Sequence, residues 1–182
     1  MYRYKNESTK LMKNTIEMIP NQHEYFMEKA IEQAKLAEQI GEIPVGAVVV
    51  LNQQIIGSGY NRSITDNDPS LHAEMVAIRN AAKALENYRL IGASIYVTLE
   101  PCSMCAGLLV HSRLKQLIYG ASDLKTGAAG SVMNIVQHDM LNHKVDVIPG
   151  VLGDVCSEHL SQFFSVRRAQ IKARKAALRN SP

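Results

Sequence analysis

The chain has 182 residues, 46% of them apolar and 20% charged, with a net charge of +3 and three cysteines. That length and balance fit one domain with a full core and exclude a disordered or fibrous chain. No apolar run approaches the roughly 20 residues of a membrane span, residues 1–9 hold no apolar signal segment, and three cysteines make no disulfide framework, so a cytoplasmic protein with no membrane partner is expected.

Charge is unevenly spread: residues 1–20 sum to +2, residues 21–159 to −5 and residues 160–182 to +6. An acidic body with a basic C-terminal end points to a polyanion met at that end, the alternative being a solvated helix face.

Residues 1–20 show neither helical periodicity nor turn signals and are expected to form a poorly ordered extension; residues 21–182 then make a single domain. From residue 21, Tyr25, Phe26, Ala30, Ile31, Ala34, Ala37 and Ile40 recur at helical spacing until Gly41 stops the run. Residues 45–51 and 54–60 are β-rich and flank Asn52-Gln53, which predicts an antiparallel hairpin. After a polar loop, Asp68-Pro69-Ser70 offers a cap and a proline for a helix that carries His72 and Glu74 and runs to Leu85. A strand over 94–99, a helix to about Ser112 and a strand over 116–120 follow. Residues 121–130 form a Gly/Ala-rich loop, 131–140 a short helix, 145–148 a fifth strand, and 154–178 a closing helix. Strands joined through helices should be parallel beside the hairpin. The expected fold is therefore α/β, a three-layer α/β/α sandwich with a mixed five-stranded sheet.

The chemistry is carried by Pro101-Cys102-Ser103-Met104-Cys105 and His72-Ala73-Glu74. Two cysteines three apart just after a proline that opens a helix place both sulfurs at its first turn, where free backbone N–H groups favour thiolates. Alone, the pair also suits a thioredoxin-type redox centre. With His72 it gives zinc three protein ligands and an open fourth position for water, the arrangement of a catalytic rather than a structural site. His72 and Glu74 are about 200° apart on a regular helix, so they can serve one site only at the helix end, with His72 as ligand and Glu74 as base. Cys156 reads as a buried, inert thiol, and His111, His138, His143 and His159 as structural or surface residues.

These residues match the H-x-E and P-C-x-x-C signature already established for zinc nucleobase deaminases of the cytidine-deaminase superfamily. Within it, residues 25–176 resemble the bacterial tRNA-specific adenosine deaminases, through stretches such as Ile43-Pro44-Val45-Gly46-Ala47-Val48, Val97-Thr98-Leu99-Glu100 and Asp123-Leu124-Lys125-Thr126-Gly127. The resemblance implies a zinc-dependent homodimer that converts adenosine to inosine at the wobble position of a tRNA anticodon, in an arginine tRNA, and releases ammonia. Carried over by position, Glu74 moves the proton, Asn61 contacts the nucleoside, and Pro101 lies with Cys102 at the oxyanion side. Asp123 and Lys125 contact the anticodon stem-loop, and Phe164, Arg167 and Arg168 pack against it or pair with its phosphates. The apolar stretch over residues 104–110 adds a reason for a dimer. A free-base or nucleotide deaminase of the same superfamily, acting on guanine or cytosine, is the nearest alternative, and a non-catalytic zinc-stabilised RNA-binding module the more distant one. The basic tail argues against the first, and Glu74 with only three metal ligands against the second.

Overall fold

The computed structural model describes residues 21–179; the expected extension over 1–20 lies outside the described residues. Helix α1 (Gln22–Gln39) buries Phe26, Met27, Ala30, Ile31, Ala34 and Ala37, three and four apart, which is the apolar stripe its sequence carries. Gly41 ends it at φ 80°, and the N–H groups of Gly41 and Glu42 return to the carbonyls of Glu38 and Ala37 at 2.9 and 3.0 Å.

Strands β1 (Gly46–Leu51) and β2 (Gln54–Tyr60) pair antiparallel around Asn52 and Gln53, both at positive φ, the backbone that a two-residue hairpin turn requires. Helix α2 (Ala73–Ala84), strand β3 (Ser94–Leu99), helix α3 (Ser103–His111), strands β4 (Gln116–Ala121) and β5 (Asp146–Ile148) and helix α4 (Gly153–Arg179) complete the order. The five strands lie as β2-β1-β3-β4-β5. β1 is antiparallel to β2 and β3, whereas β3, β4 and β5 run parallel, so the sheet is mixed as expected.

Side-chain size decides how the layers meet. Gly46 sits under α1, where a Cβ would come within 2.2 Å of the Ala30 carbonyl, while Gly57 and Gly59 sit under α2 against the backbone of Ala77 and Ala81. Gly120 packs on the Cys156 side chain of α4. Because alternate residues of a strand point to opposite faces, α1 and α4 cover one side of the sheet and α2, beside α3, the other. His159 of α4 reaches Glu38 of α1 at 2.8 Å, tying the two helices of the first layer together.

Three expectations are corrected. The predicted helix over 131–140 does not form: the N–H of Ser131 goes to the Glu100 carboxylate, those of Val132 and Met133 to the Gly127 carbonyl and that of Ile135 to the Ala128 carbonyl, so these donors are committed outside any helical ladder. The crossover from β4 to β5 is irregular as a result. Asp68 does not cap α2; its Oδ1 accepts from the N–H and hydroxyl of Ser70, and the cap position belongs to His72. In α3 the first helical residue is Ser103, so Cys102 precedes the helix rather than standing in it.

Candidate active site

The site is built where α2 and α3 begin. His72 occupies the cap position of α2 with extended backbone (φ −73°, ψ 154°), and Cys102 occupies the same position of α3 (φ −71°, ψ 174°). Cys105, fully buried, stands in the first turn of α3. Both sulfurs lie 3.6 Å from His72 Nδ1, and the three ligand atoms lie within 4.8 Å of one another. Zinc with sulfur near 2.3 Å and nitrogen near 2.0–2.1 Å at tetrahedral angles separates S from N by about 3.6 Å. The donor set fits that ion in chemistry and in spacing.

Electrostatics agree with a cation-binding role. The Cys102 thiol is pushed down to about 3, first by its hydrogen bond with Cys105 and then by that with His72. Cys105 is pushed up as the donor of that sulfur pair and by burial. One negative charge is thus shared between two sulfurs beside a histidine whose own pKa is raised by Cys102. A divalent ion removes the need for the thiol proton.

Glu74 is the second residue of α2 and only 4% exposed. Burial pushes its carboxyl up to about 7. A buried carboxyl poised near neutrality, adjacent to a metal-type donor set, can take a proton and give it back. The 200° separation is no obstacle, because His72 lies outside the helix and its side chain is not bound to the helical periodicity.

The other expected positions are distributed as follows. Asn61 Oδ1 accepts from the N–H of Ala73 at 2.9 Å, and its Nδ2 donates to the Ile43 carbonyl at 3.2 Å, so it holds the start of α2 in place. One amide hydrogen and one lone pair stay available for a further contact. Pro101 is buried beside the site, and its carbonyl accepts from Ala128 N–H at 2.8 Å. Asp123 and Lys125 sit on the loop after β4; the Asp123 carboxylate accepts from the N–H of Lys125 and Thr126 and the Thr126 hydroxyl, while the Lys125 side chain is exposed. Phe164, Arg167 and Arg168 lie on α4 beyond its last buried residue, Leu160, with every side chain over 164–178 exposed. They are not part of the cluster at the helix starts.

Sequence reasoning gave Glu100 no role, yet it is 2% exposed and its carboxylate accepts from the N–H groups of Asp123, Ala129 and Ser131, each at 3.0 Å, and from the Ser131 hydroxyl. Burial pushes its pKa up, but the bonds from Ser131, Asp123 and Ala129 outweigh this and hold it below the usual range. The available signal was an acid at the end of an apolar strand, directly before the proline and cysteine. Other side chains behave as read: Cys156 is buried with its thiol pushed up to about 11 by burial, and His143 Nε2 meets the Leu114 carbonyl at 2.7 Å. His23 bonds the Tyr96 hydroxyl at 3.0 Å.

A mixed sheet carrying a histidine at one helix start, two cysteines at the next and a buried glutamate beside them defines a hydrolytic deaminase domain. The family model of the cytidine and deoxycytidylate deaminase zinc-binding region matches residues 20–121. A tRNA-specific adenosine deaminase of Haemophilus influenzae is 51% identical over 158 residues, 86% of this chain and 91% of the relative. One from Bacillus subtilis is 46% identical over 87% of this chain and 97% of its own. A solved structure from studies of A-to-I editing by tRNA:A34 deaminases at the wobble position of transfer RNA superposes with a TM-score of 0.72 at 41% identity, covering 74% of this chain and 98% of that one. The chain belongs to the cytidine and deoxycytidylate deaminase family, among its tRNA-specific adenosine deaminases.

Proposed function

We propose that this protein deaminates adenosine to inosine at the wobble position of a tRNA anticodon, with an arginine tRNA as the expected carrier. The observation that carries the chemistry is the buried Glu74 carboxyl beside the His72, Cys102 and Cys105 donor set. Zinc held by those three residues would supply a water that is acidic at neutral pH. Glu74 would take one proton of the attacking water and deliver it to the purine ring nitrogen as the water oxygen bonds to the amine-bearing ring carbon; it would then pass the second proton of that oxygen to the amine, whose bond to carbon breaks to release ammonia. Asn61 fixes the start of α2, and with it His72 and Glu74, while its remaining amide hydrogen and lone pair would be the groups that contact the nucleoside. The RNA half of the reading is supported by the relatives, which are tRNA-specific adenosine deaminases, and by the basic end of α4. Residues 21–182 act as one deaminase domain in the cytoplasm; among the described residues no helix is long and apolar enough to cross a membrane.

The deciding assay offers an anticodon stem-loop with a wobble adenosine beside free adenosine, cytosine and guanine. Inosine in the RNA, with the free compounds unchanged, is the expected result. Turnover of a free base with the RNA untouched would move the protein to the small-molecule branch of the family.

Two further expectations arise from the surface. Arg168, Lys172 and Lys175 recur at four- and three-residue steps on the exposed length of α4, with Arg167 next to the first of them, a row suited to phosphates. If about three are contacted, removing residues 167–182 should flatten the slope of log affinity against log salt by roughly 2 to 3. An unchanged slope in a folded, zinc-loaded truncation would make the row a solvated face only.

The homodimer rests on a groove rather than on the whole stretch over 104–110, because α3 already buries Cys105, Ala106, Leu109 and Val110 within the chain. A cavity of about 490 Å³ between α2 and α3 is lined by apolar Met75, Ile78, Ala82 and Leu108 together with Tyr88 and the polar Arg79, Arg89, His111, Ser112 and Arg113. A second copy seated there by two-fold symmetry would cover this apolar surface. Light scattering at micromolar concentration should return twice the chain mass, and a monomer would remove the groove from consideration.

A further inference from the structure

The loop after β4 is organised around one buried anion. Glu100 Oε1 accepts from the N–H groups of Ala129 and Ser131, and Oε2 from the N–H of Asp123 and the hydroxyl of Ser131, so both ends of the segment over 123–131 converge on a single carboxylate. Gly127, at the middle of the segment, passes so close that a Cβ there would stand 2.5 Å from the carboxyl carbon, leaving room for glycine only. The same segment is stitched to the zinc-type site by Ala128 N–H to the Pro101 carbonyl at 2.8 Å and by the bridge between Gly127 and Cys102. Glu100 is also the residue that covalently precedes Pro101 and Cys102. Bonds to an ionised acceptor are about twice as strong as neutral ones, and a desolvated carboxylate is costly unless its lone pairs are filled, so loop and carboxylate hold each other in a single arrangement.

We propose that Glu100 is a positioning residue for the RNA substrate: its carboxylate fixes the 123–131 loop to the site edge, so that Lys125 and the turn made by Asp123 are presented at a set distance from the reacting nucleoside. This rests on the tRNA reading above. Asp123 accepts with its own carboxylate from the N–H groups of Lys125 and Thr126 and from the Thr126 hydroxyl, which makes it the former of the turn that carries the exposed Lys125.

The test uses full-length, zinc-loaded protein. In Glu100→Gln an amide hydrogen faces at least one of the four donors, so at least one bond is lost and a donor meets a donor. Amide hydrogen exchange over 123–131 should accelerate while zinc content stays at one per chain. KM for the anticodon stem-loop should rise about tenfold with kcat nearly unchanged, the signature of lost substrate binding rather than lost chemistry. Adding Lys125→Ala to Glu100→Gln should raise KM little further, because the two changes remove one contact. Ser131→Ala removes a single bond and should shift KM the same way by a smaller factor, and Ser131→Thr, which keeps the hydroxyl, should restore it; this pair covers the case in which Glu100→Gln does not fold. Faster exchange with an unchanged KM, or fully additive effects of Glu100→Gln and Lys125→Ala, would reduce Glu100 to a structural anchor and overturn the proposal. Wild-type protein that fails to turn over the stem-loop would overturn the RNA reading instead, and the exchange measurement would still report whether Glu100 holds the loop.

Discussion

Replacing Glu74 with alanine is expected to lower the rate of inosine formation at least ~10²-fold, the usual scale for a general acid–base group, while zinc content and cooperative unfolding remain. The side chain is not part of the His72, Cys102 and Cys105 donor set, so its removal leaves the metal-type cluster whole. It is also a carboxyl that burial has pushed up to about 7, which places its proton within reach of both transfer steps at neutral pH. The loss should fall on kcat and on kcat/KM alike, since the proton moves only during the chemical step. Glu74→Gln, nearly isosteric but unable to carry a proton, should behave the same way. A Glu74→Ala protein that makes inosine at near wild-type rate would end this mechanism.

A larger loss is expected from Cys105→Ser, because it removes the metal with the activity. Cys105 is fully buried, and its sulfur is 3.6 Å from His72 Nδ1, so a hydroxyl there is both a poorer ligand for a borderline-soft ion and too short to restore the spacing. Purified Cys105→Ser and Cys102→Ser proteins should contain no stoichiometric zinc and give no turnover. Chelation should lower the melting temperature of the wild-type protein and leave that of the cysteine variants unchanged, since only a site that binds metal in the folded state couples metal to stability. Normal zinc content together with normal turnover in either variant would remove that cysteine from the ligand set.

Much of the reaction centre could be read from residue order, for a reason that lies in local geometry. A proline before Cys102 and a helix after it place the two sulfurs within one turn whatever the rest of the chain does. Separate roles for His72 and Glu74 were suggested by helical periodicity, which keeps residues two apart off one helical face, and the structure keeps them apart in another way, by placing His72 before the helix. Apolar spacing likewise located the strands, since a strand or helix buried on one face carries that face in its own period. Periodicity failed at residues 131–140, where Val132, Met133 and Met140 are exposed and Val136 alone is fully buried. There the Ser131 N–H bonds to Glu100 and those of Val132, Met133 and Ile135 fold back on the carbonyls of Gly127 and Ala128 rather than entering a helical ladder, and no apolar period reports such partners.

Charge segregation, the C-x-x-C spacing, the elements outside the segment over 131–140 and the turn at Asn52-Gln53 were determined by the sequence itself, because each depends on neighbours within a few residues or on simple composition. Tertiary structure alone decided that Asn61 holds the Ala73 N–H, that α2 and α3 leave a groove between them, and that Glu100 gathers donors from Asp123, Ala129 and Ser131. Those features are contacts across 12 to 31 residues of chain, set by which faces the sheet brings together. A buried carboxylate accepts whichever N–H groups the fold delivers to it, so its partners are a property of the closed structure and not of the residues beside it.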